Sequence, residues 1–238
     1  MAGLLFLLAH PDDETFIAGG TIAKYAAAGV EIGVVCATRG QRGKTGDVCS
    51  RDHLASVREA ELRDAARILG IRHLEILDYE DQSLASAPAD EIRRAMVAAL
   101  RRQRPEIAVS FDPNGMNLHT DHIAISRFAA DAVAAAADSR WHPETGEPHT
   151  VDRMIWCAPE PVFNLGRRDD AAALPGIDFL IDTSPYRDKK LAALQAHRTQ
   201  YPGLKRLFSD DATTSREAFR VGWGQRPCAV PAAELFAK

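Results

Sequence analysis

Leu4-Leu5-Phe6-Leu7-Leu8-Ala9-His10-Pro11-Asp12-Asp13-Glu14 runs five large apolar residues into a histidine, a proline and three carboxylates. A strand that is apolar at every position, with no alternation, is buried on both faces, as in a parallel sheet covered by helices. Adjacent carboxylates repel one another, and beside a buried strand that repulsion is poorly screened. The junction therefore needs a positive charge, and it lies where the chain leaves the sheet.

Working outward, strand-like runs at Leu4–Leu8, Glu31–Ala37, His73–Leu77 and Ile107–Phe111 alternate with amphipathic stretches at Thr15–Ala28, Ser50–Leu69, Ala89–Arg102 and Asp121–Ala136. Gly29 and Gly70 stand where helices end, each just before a new strand. The repeat weakens after about Arg140, although Met154–Cys157 and Asp178–Ile181 still read as strands and Leu191–Gln200 as a late helix. Six strands are too few for an eight-stranded barrel. The pattern predicts one α/β domain over residues 1–238: a Rossmann-like, doubly wound, mostly parallel sheet with helices on both faces. In the strand order 3-2-1-4, strands one and four are neighbours where the order reverses, and ligands bind beyond their carboxyl ends.

Both of those ends are loaded with polar residues. The first carries His10 to Glu14; the fourth carries Asp112-Pro113-Asn114-Gly115 and His119-Thr120-Asp121-His122. Two imidazoles and a carboxylate suit zinc, and three protein ligands with an open position mark a catalytic site. His10 and Asp13 are three apart, as are His119 and His122, so either late histidine completes a triad and the other is left for proton chemistry. Asp12 is then placed to take a proton from water. Each loop also has an ordinary reading, as helix-start acids beside a proline or as a surface turn and cap. What argues against chance is that both fall at the ligand edge of the sheet.

Other classes are excluded by composition. Of 238 residues, 46% are hydrophobic and 26% charged, and the net charge is −4, so no basic field draws nucleic acid or anionic lipid. The opening apolar run lacks a basic leader and a small-residue cleavage site, and no run is long enough to span a membrane. Cys36, Cys49, Cys157 and Cys228 form no CxxC pair or disulfide framework, which predicts the reducing cytoplasm. No GxGxxG follows the first strand, so a dinucleotide is disfavoured and a small-molecule partner favoured.

Ala9 to Glu14 with Gly19-Gly20-Thr21, then Thr38-Arg39-Gly40 and Gly43, then Asp112 to Gly115 and His119 to His122, together resemble the PIG-L/LmbE family of zinc-dependent N-acetylglucosamine deacetylases. The resemblance runs to about Gln200, where Ala196-His197-Arg198-Thr199-Gln200 is similar to a late family signature. It implies zinc on His10, Asp13 and His122, Asp12 as general base, His119 as second catalytic histidine and Asp121 as the acid that orients His119. It further implies that Arg58 and Asp81 bind the sugar, with Asp78 a nearby rival to Asp81, and that the substrate is an N-acetylated amino sugar. Asn117 stands where some members carry a tyrosine that touches the oxyanion.

With Asp121 beside it, His119 is expected to hold its proton to higher pH than a free imidazole. His197 reads either as a support to the site or as a structural residue, and His53, His73, His142 and His149 have no partner motif. Arg39, Arg42 and Lys44 lie in a Gly-spaced loop able to attract an anionic part of a substrate. The same metal residues also suit an amidase acting on another acylated amine or thiol conjugate, whereas a non-catalytic sugar- or nucleotide-binding domain predicts no tightly held metal.

Overall fold

The computed structural model describes residues 3–157, 176–205 and 215–237. Seven strands, β1 (Gly3–Leu8), β2 (Glu31–Thr38), β3 (His73–Tyr79), β4 (Ile107–Phe111), β5 (Arg153–Cys157), β6 (Phe179–Asp182) and β7 (Arg216–Gly224), form one sheet in the order β3-β2-β1-β4-β5-β7-β6. The β1–β2, β2–β3, β1–β4 and β4–β5 pairs are parallel, and β7 runs antiparallel to both β5 and β6. The expected α/β sheet and its 3-2-1-4 segment are present.

Every residue of β1 is buried, as its unbroken apolar run requires. Helices α3 (Ala89–Gln103) and α5 (Thr120–Ala136) pack together on one face; α1 (Asp13–Ala27), α2 (Leu54–Leu69) and α6 (Arg187–Ala196) pack together on the other. Gly29 (φ 83°) and Gly70 (φ 86°) take the left-handed conformation that ends α1 and α2. A short turn, α4 (Gly115–Leu118), precedes α5.

Two expectations need correction. The late helix occupies Arg187–Ala196 rather than Leu191–Gln200, because the chain turns after Ala196 to bury His197 completely. Strand β7 was not expected. Its Glu217 disguises it, a buried acid whose carboxylate accepts the Gly20 and Thr21 N–H groups at 2.9 and 2.7 Å and the Lys190 ammonium at 2.6 Å. Those partners come from α1 and α6, so no local pattern announces them.

Candidate active site

The carboxyl ends of β1 and β4 enclose a cleft of about 240 Å³ lined by His10, Asp12, Asp13, Arg58, Asp81, Asn117, His119 and His122, among others. Asp121 lies behind this wall, fully buried.

Three side chains in the cleft have one donor atom each left over after the fold has used the rest. Asp13 Oδ2 accepts the Ala9 and His10 N–H groups at 3.1 and 2.8 Å, which turns Oδ1 outward. His122 Nδ1 is held by the Gly115 carbonyl at 3.2 Å, which leaves Nε2. His10 Nε2 meets Asp121 Oδ2 at 3.0 Å and Asp81 Oδ1 at 3.2 Å, which leaves Nδ1. The remaining atoms converge on His122: its Nε2 is 3.2 Å from His10 Nδ1 and 3.3 Å from Asp13 Oδ1. Tetrahedral zinc with bonds of about 2.0–2.2 Å separates its ligand atoms by roughly 3.3–3.6 Å, so this donor set fits such an ion in both chemistry and spacing. The bonds behind these three side chains are of the kind that fix a metal-binding imidazole's orientation. The His10, His119 and His122 nitrogens also lie within 4.8 Å of one another, as do the donor atoms of His10, Asp81 and Asp121.

The electrostatics answer the question raised by the opening run. Burial alone would depress the His10 imidazole, but hydrogen bonds to Asp121 and Asp81 and the charge of Asp13 outweigh it and raise its pKa to about 10. Asp13, although burial opposes its ionisation, is held below the usual carboxylate range by His122 and His10. The acids and imidazoles at this junction thus favour one another's charged forms.

Asp12 occupies φ 116°, a left-handed value that a residue bearing a Cβ adopts only when its surroundings impose it. Here its N–H donates to Glu14 Oε2 at 3.1 Å, its carbonyl accepts from Thr15 and Phe16 at 3.1 and 2.9 Å, and Arg58 Nη2 lies 3.2 Å from Oδ2. Burial, helped by the charge of Asp13, pushes the Asp12 carboxyl up to about 6, while Arg58 pulls it down. Arg58 is buried, donates to the carbonyls of Gly40 (2.9 Å) and Pro11, and passes so close to Gly40 that a Cβ there would strike the guanidinium. Gly40 also has φ 62°, so the position suits glycine on both counts.

His119 departs from expectation. The Asp121 carboxylate faces His10, Gln82 N (2.6 Å) and Leu84 N (3.1 Å), not the His119 ring. His119 instead caps α5, its Nδ1 accepting the Asp121 N–H at 3.2 Å. Only an unprotonated nitrogen accepts that bond, so the ring carries its proton on Nε2. Burial and the neighbouring His10 and His122 lower its pKa, the reverse of the shift expected from an adjacent acid.

The late His197–Gln200 stretch supports the site through two partners that the sequence does not indicate, Glu14 and Glu61. Glu14, one acid among three, bonds His197 Nε2 at 2.8 Å while holding the Asp12 N–H, so the buried His197 braces the strained turn from α6's end. Thr199 clamps Glu61 of α2 through its N–H (3.0 Å) and hydroxyl (2.7 Å), which brings Gln200 to the cleft wall. Asn117 lines the cleft and accepts the His119 N–H on Oδ1 at 3.1 Å, so its amide NH₂ is the end able to donate. Asp78 pairs with Arg39 at 3.2 Å on the surface and does not line the cleft; Asp81 does. Nor do His53, His73, His142 and His149 line it.

Known proteins similar to this chain identify its family. The family model described as PIG-L, GlcNAc-PI de-N-acetylase, matches residues 5–133. A 1D-myo-inositol 2-acetamido-2-deoxy-alpha-D-glucopyranoside deacetylase of Geodermatophilus obscurus is 32% identical, over 83% of this chain and 82% of its own. A probable N-acetyl-alpha-D-glucosaminyl L-malate deacetylase 2 of Bacillus anthracis is 29% identical, over 90% of each chain. The crystal structure of the conserved protein TT1542 from Thermus thermophilus is 29% identical, with TM-score 0.75 over 98% of this chain and 100% of its own. With the matched segment spanning both loops that build the cleft, and a relative above 30% identity across most of its length, the chain belongs to the PIG-L (GlcNAc-PI de-N-acetylase) family.

Proposed function

We propose that this chain is a zinc-dependent N-deacetylase that hydrolyses the acetamide of an N-acetylglucosamine-type sugar, releasing acetate and a free amine. The observation that carries the reading is the convergence of His10 Nδ1 and Asp13 Oδ1 on His122 Nε2, at 3.2 and 3.3 Å, each side chain already tethered through its other atom. His10, Asp13 and His122 would hold zinc, which supplies a Lewis acid for water and for the acetamide carbonyl.

The chain's own residues handle the protons. Asp12, oriented by Arg58, accepts the proton of the attacking water. His119, neutral with its proton on Nε2, donates a hydrogen bond to the carbonyl oxygen as negative charge gathers there. Asp12 then returns its proton to the nitrogen as the C–N bond breaks. Arg58 and Asp81 bind sugar hydroxyls while also bracing Asp12 and His10. The enzyme acts as one domain over residues 1–238, on a small molecule in the cytoplasm. All four cysteines are free, in keeping with a reducing compartment, and no described helix is long and apolar enough to cross a membrane.

The test measures metal content and acetate release together. The wild type should purify with zinc and deacetylate N-acetylglucosamine glycosides. His10→Ala and His122→Ala should lose both, and His119→Ala should lose turnover and keep metal. Full zinc occupancy in the first two variants would falsify the ligand assignment; loss of zinc in the third would move His119 into the metal shell.

A further inference from the structure

Asp112-Pro113-Asn114-Gly115 joins β4 to α4, and none of these four residues lines the cleft. The stretch is a type I turn: the Asp112 carbonyl accepts the Gly115 N–H at 2.8 Å, and Asn114, third of the four, has φ −91° and ψ 2°. Beyond it the backbone is left-handed at Gly115 (φ 65°), at Met116 (φ 64°, ψ −48°) and again at Leu118 (φ 64°). Glycine takes such values freely, but Met116 lies near the positive-φ γ-turn region, which is strained for a residue bearing a Cβ.

Asp112 holds the segment in that shape. Its side chain is buried, and its Oδ1 accepts the N–H of the strained Met116 at 2.7 Å. Its Oδ2 lies 3.3 Å from Nη2 of Arg220, which reaches it from β7 across β5. A buried carboxylate is costly unless its oxygens are satisfied, so the turn and the acid stabilise each other.

The shape presents the Gly115 carbonyl to His122 Nδ1, at 3.2 Å. The His122 ring also stacks on Phe111, with centroids 3.9 Å apart and planes 5° apart. That stack fixes the plane of the ring and nothing more. A ring turned over by 180° about Cβ–Cγ would stack equally well and would put carbon where Nε2 now points. On the side away from His10 and Asp13, the carbonyl is what distinguishes the two, because it needs an N–H facing it.

We propose that Asp112 is a positioning residue for His122. It holds Met116 in its strained conformation, the turn thereby presents the Gly115 carbonyl, and the carbonyl keeps the His122 proton on Nδ1 and leaves Nε2 open to a ligand. The effect on metal affinity rests on the reading of His122 as a zinc ligand; the hold on the ring does not.

The test pairs zinc affinity, from competition with a chelator, with NMR of the histidine ring nitrogens in isotopically labelled protein. The wild type should carry the His122 proton on Nδ1, slow to exchange. Asp112→Ala should weaken zinc binding by about 10- to 100-fold and speed exchange of that proton and of the Met116 amide, with circular dichroism unchanged. Asp112→Asn keeps an oxygen for the Met116 N–H and gives up only the charge facing Arg220, so it should retain most of the affinity. An Asn variant as weak as the Ala variant would make the role purely electrostatic and overturns the proposal. So does an Asp112→Ala protein that binds zinc as tightly as the wild type, or whose His122 ring proton is undisturbed. Should Asp112→Ala fail to fold, the wild type and Asp112→Asn decide: a His122 proton on Nε2 in either overturns the assignment, and a slowly exchanging one on Nδ1 in both supports it. A wild type that takes up no zinc removes the metal reading instead, and the ring and amide protons of the metal-free protein still test the positioning.

Discussion

The carboxylate of Asp121 faces His10 and not His119: Oδ2 lies 3.0 Å from His10 Nε2, whereas His119 receives only the Asp121 backbone N–H, at 3.2 Å. The acid next to the second histidine therefore serves His10, the proposed metal ligand, across the cleft. His119 is left as a neutral donor, held in one tautomer by the helix it caps.

Asp121→Asn should accordingly weaken metal affinity by about 10- to 100-fold, the usual effect of removing a hydrogen-bonded partner behind a ligand. Competition with a chelator, read by released zinc, measures this. If the variant binds zinc as tightly as the wild type and loses turnover alone, Asp121 acts through His119 after all.

Asp12→Asn removes the proposed base but leaves every ligand tether in place. Zinc should stay bound while turnover slows by about 10²- to 10⁴-fold. A fully loaded variant with a near wild-type rate would place the base elsewhere.

Arg58→Ala should lower the rate on a minimal acetamide as well as on a sugar substrate, because Arg58 reaches Asp12 and the Pro11 carbonyl and not only the cleft. Gly40→Ala should reproduce this. The new Cβ displaces the guanidinium, and the left-handed φ adds roughly 1–2 kcal/mol of strain. Since both lesions act through one contact, the double variant should be little worse than either single one; fully additive losses in kcat/KM would separate the two roles.

The His197–Glu14 bond gives a pH signature. Burial alone would lower the His197 pKa, but the charge of Glu14 and its hydrogen bond raise it above the ordinary imidazole value. A group with a raised folded pKa stabilises fully below its unfolded pKa, and that contribution disappears as pH climbs through the folded value. The wild type should therefore exceed His197→Gln in denaturant stability most clearly below about pH 6.5, and the gap should narrow on going alkaline. A gap that widens with pH would mean His197 is buried neutral.

Much of this molecule can be read from local sequence. The unbroken apolar run Leu4–Leu8 determines a strand buried on both faces, and the alternation after it determines the parallel sheet, because periodicity and burial are properties of neighbouring residues. The order of that sheet in turn sends His10, Asp13 and His122 to one edge. What each side chain does there is settled by partners distant in sequence. Asp121 meets His10 across 111 positions, Arg58 meets the Pro11 carbonyl across 47, and His197 meets Glu14 across 183. Strand β7 stayed hidden for the same reason, since its buried Glu217 is compensated from Gly20, Thr21 and Lys190. A buried polar group is tolerable only when satisfied, and the atom that satisfies it is chosen by packing, which no spacing along the chain records.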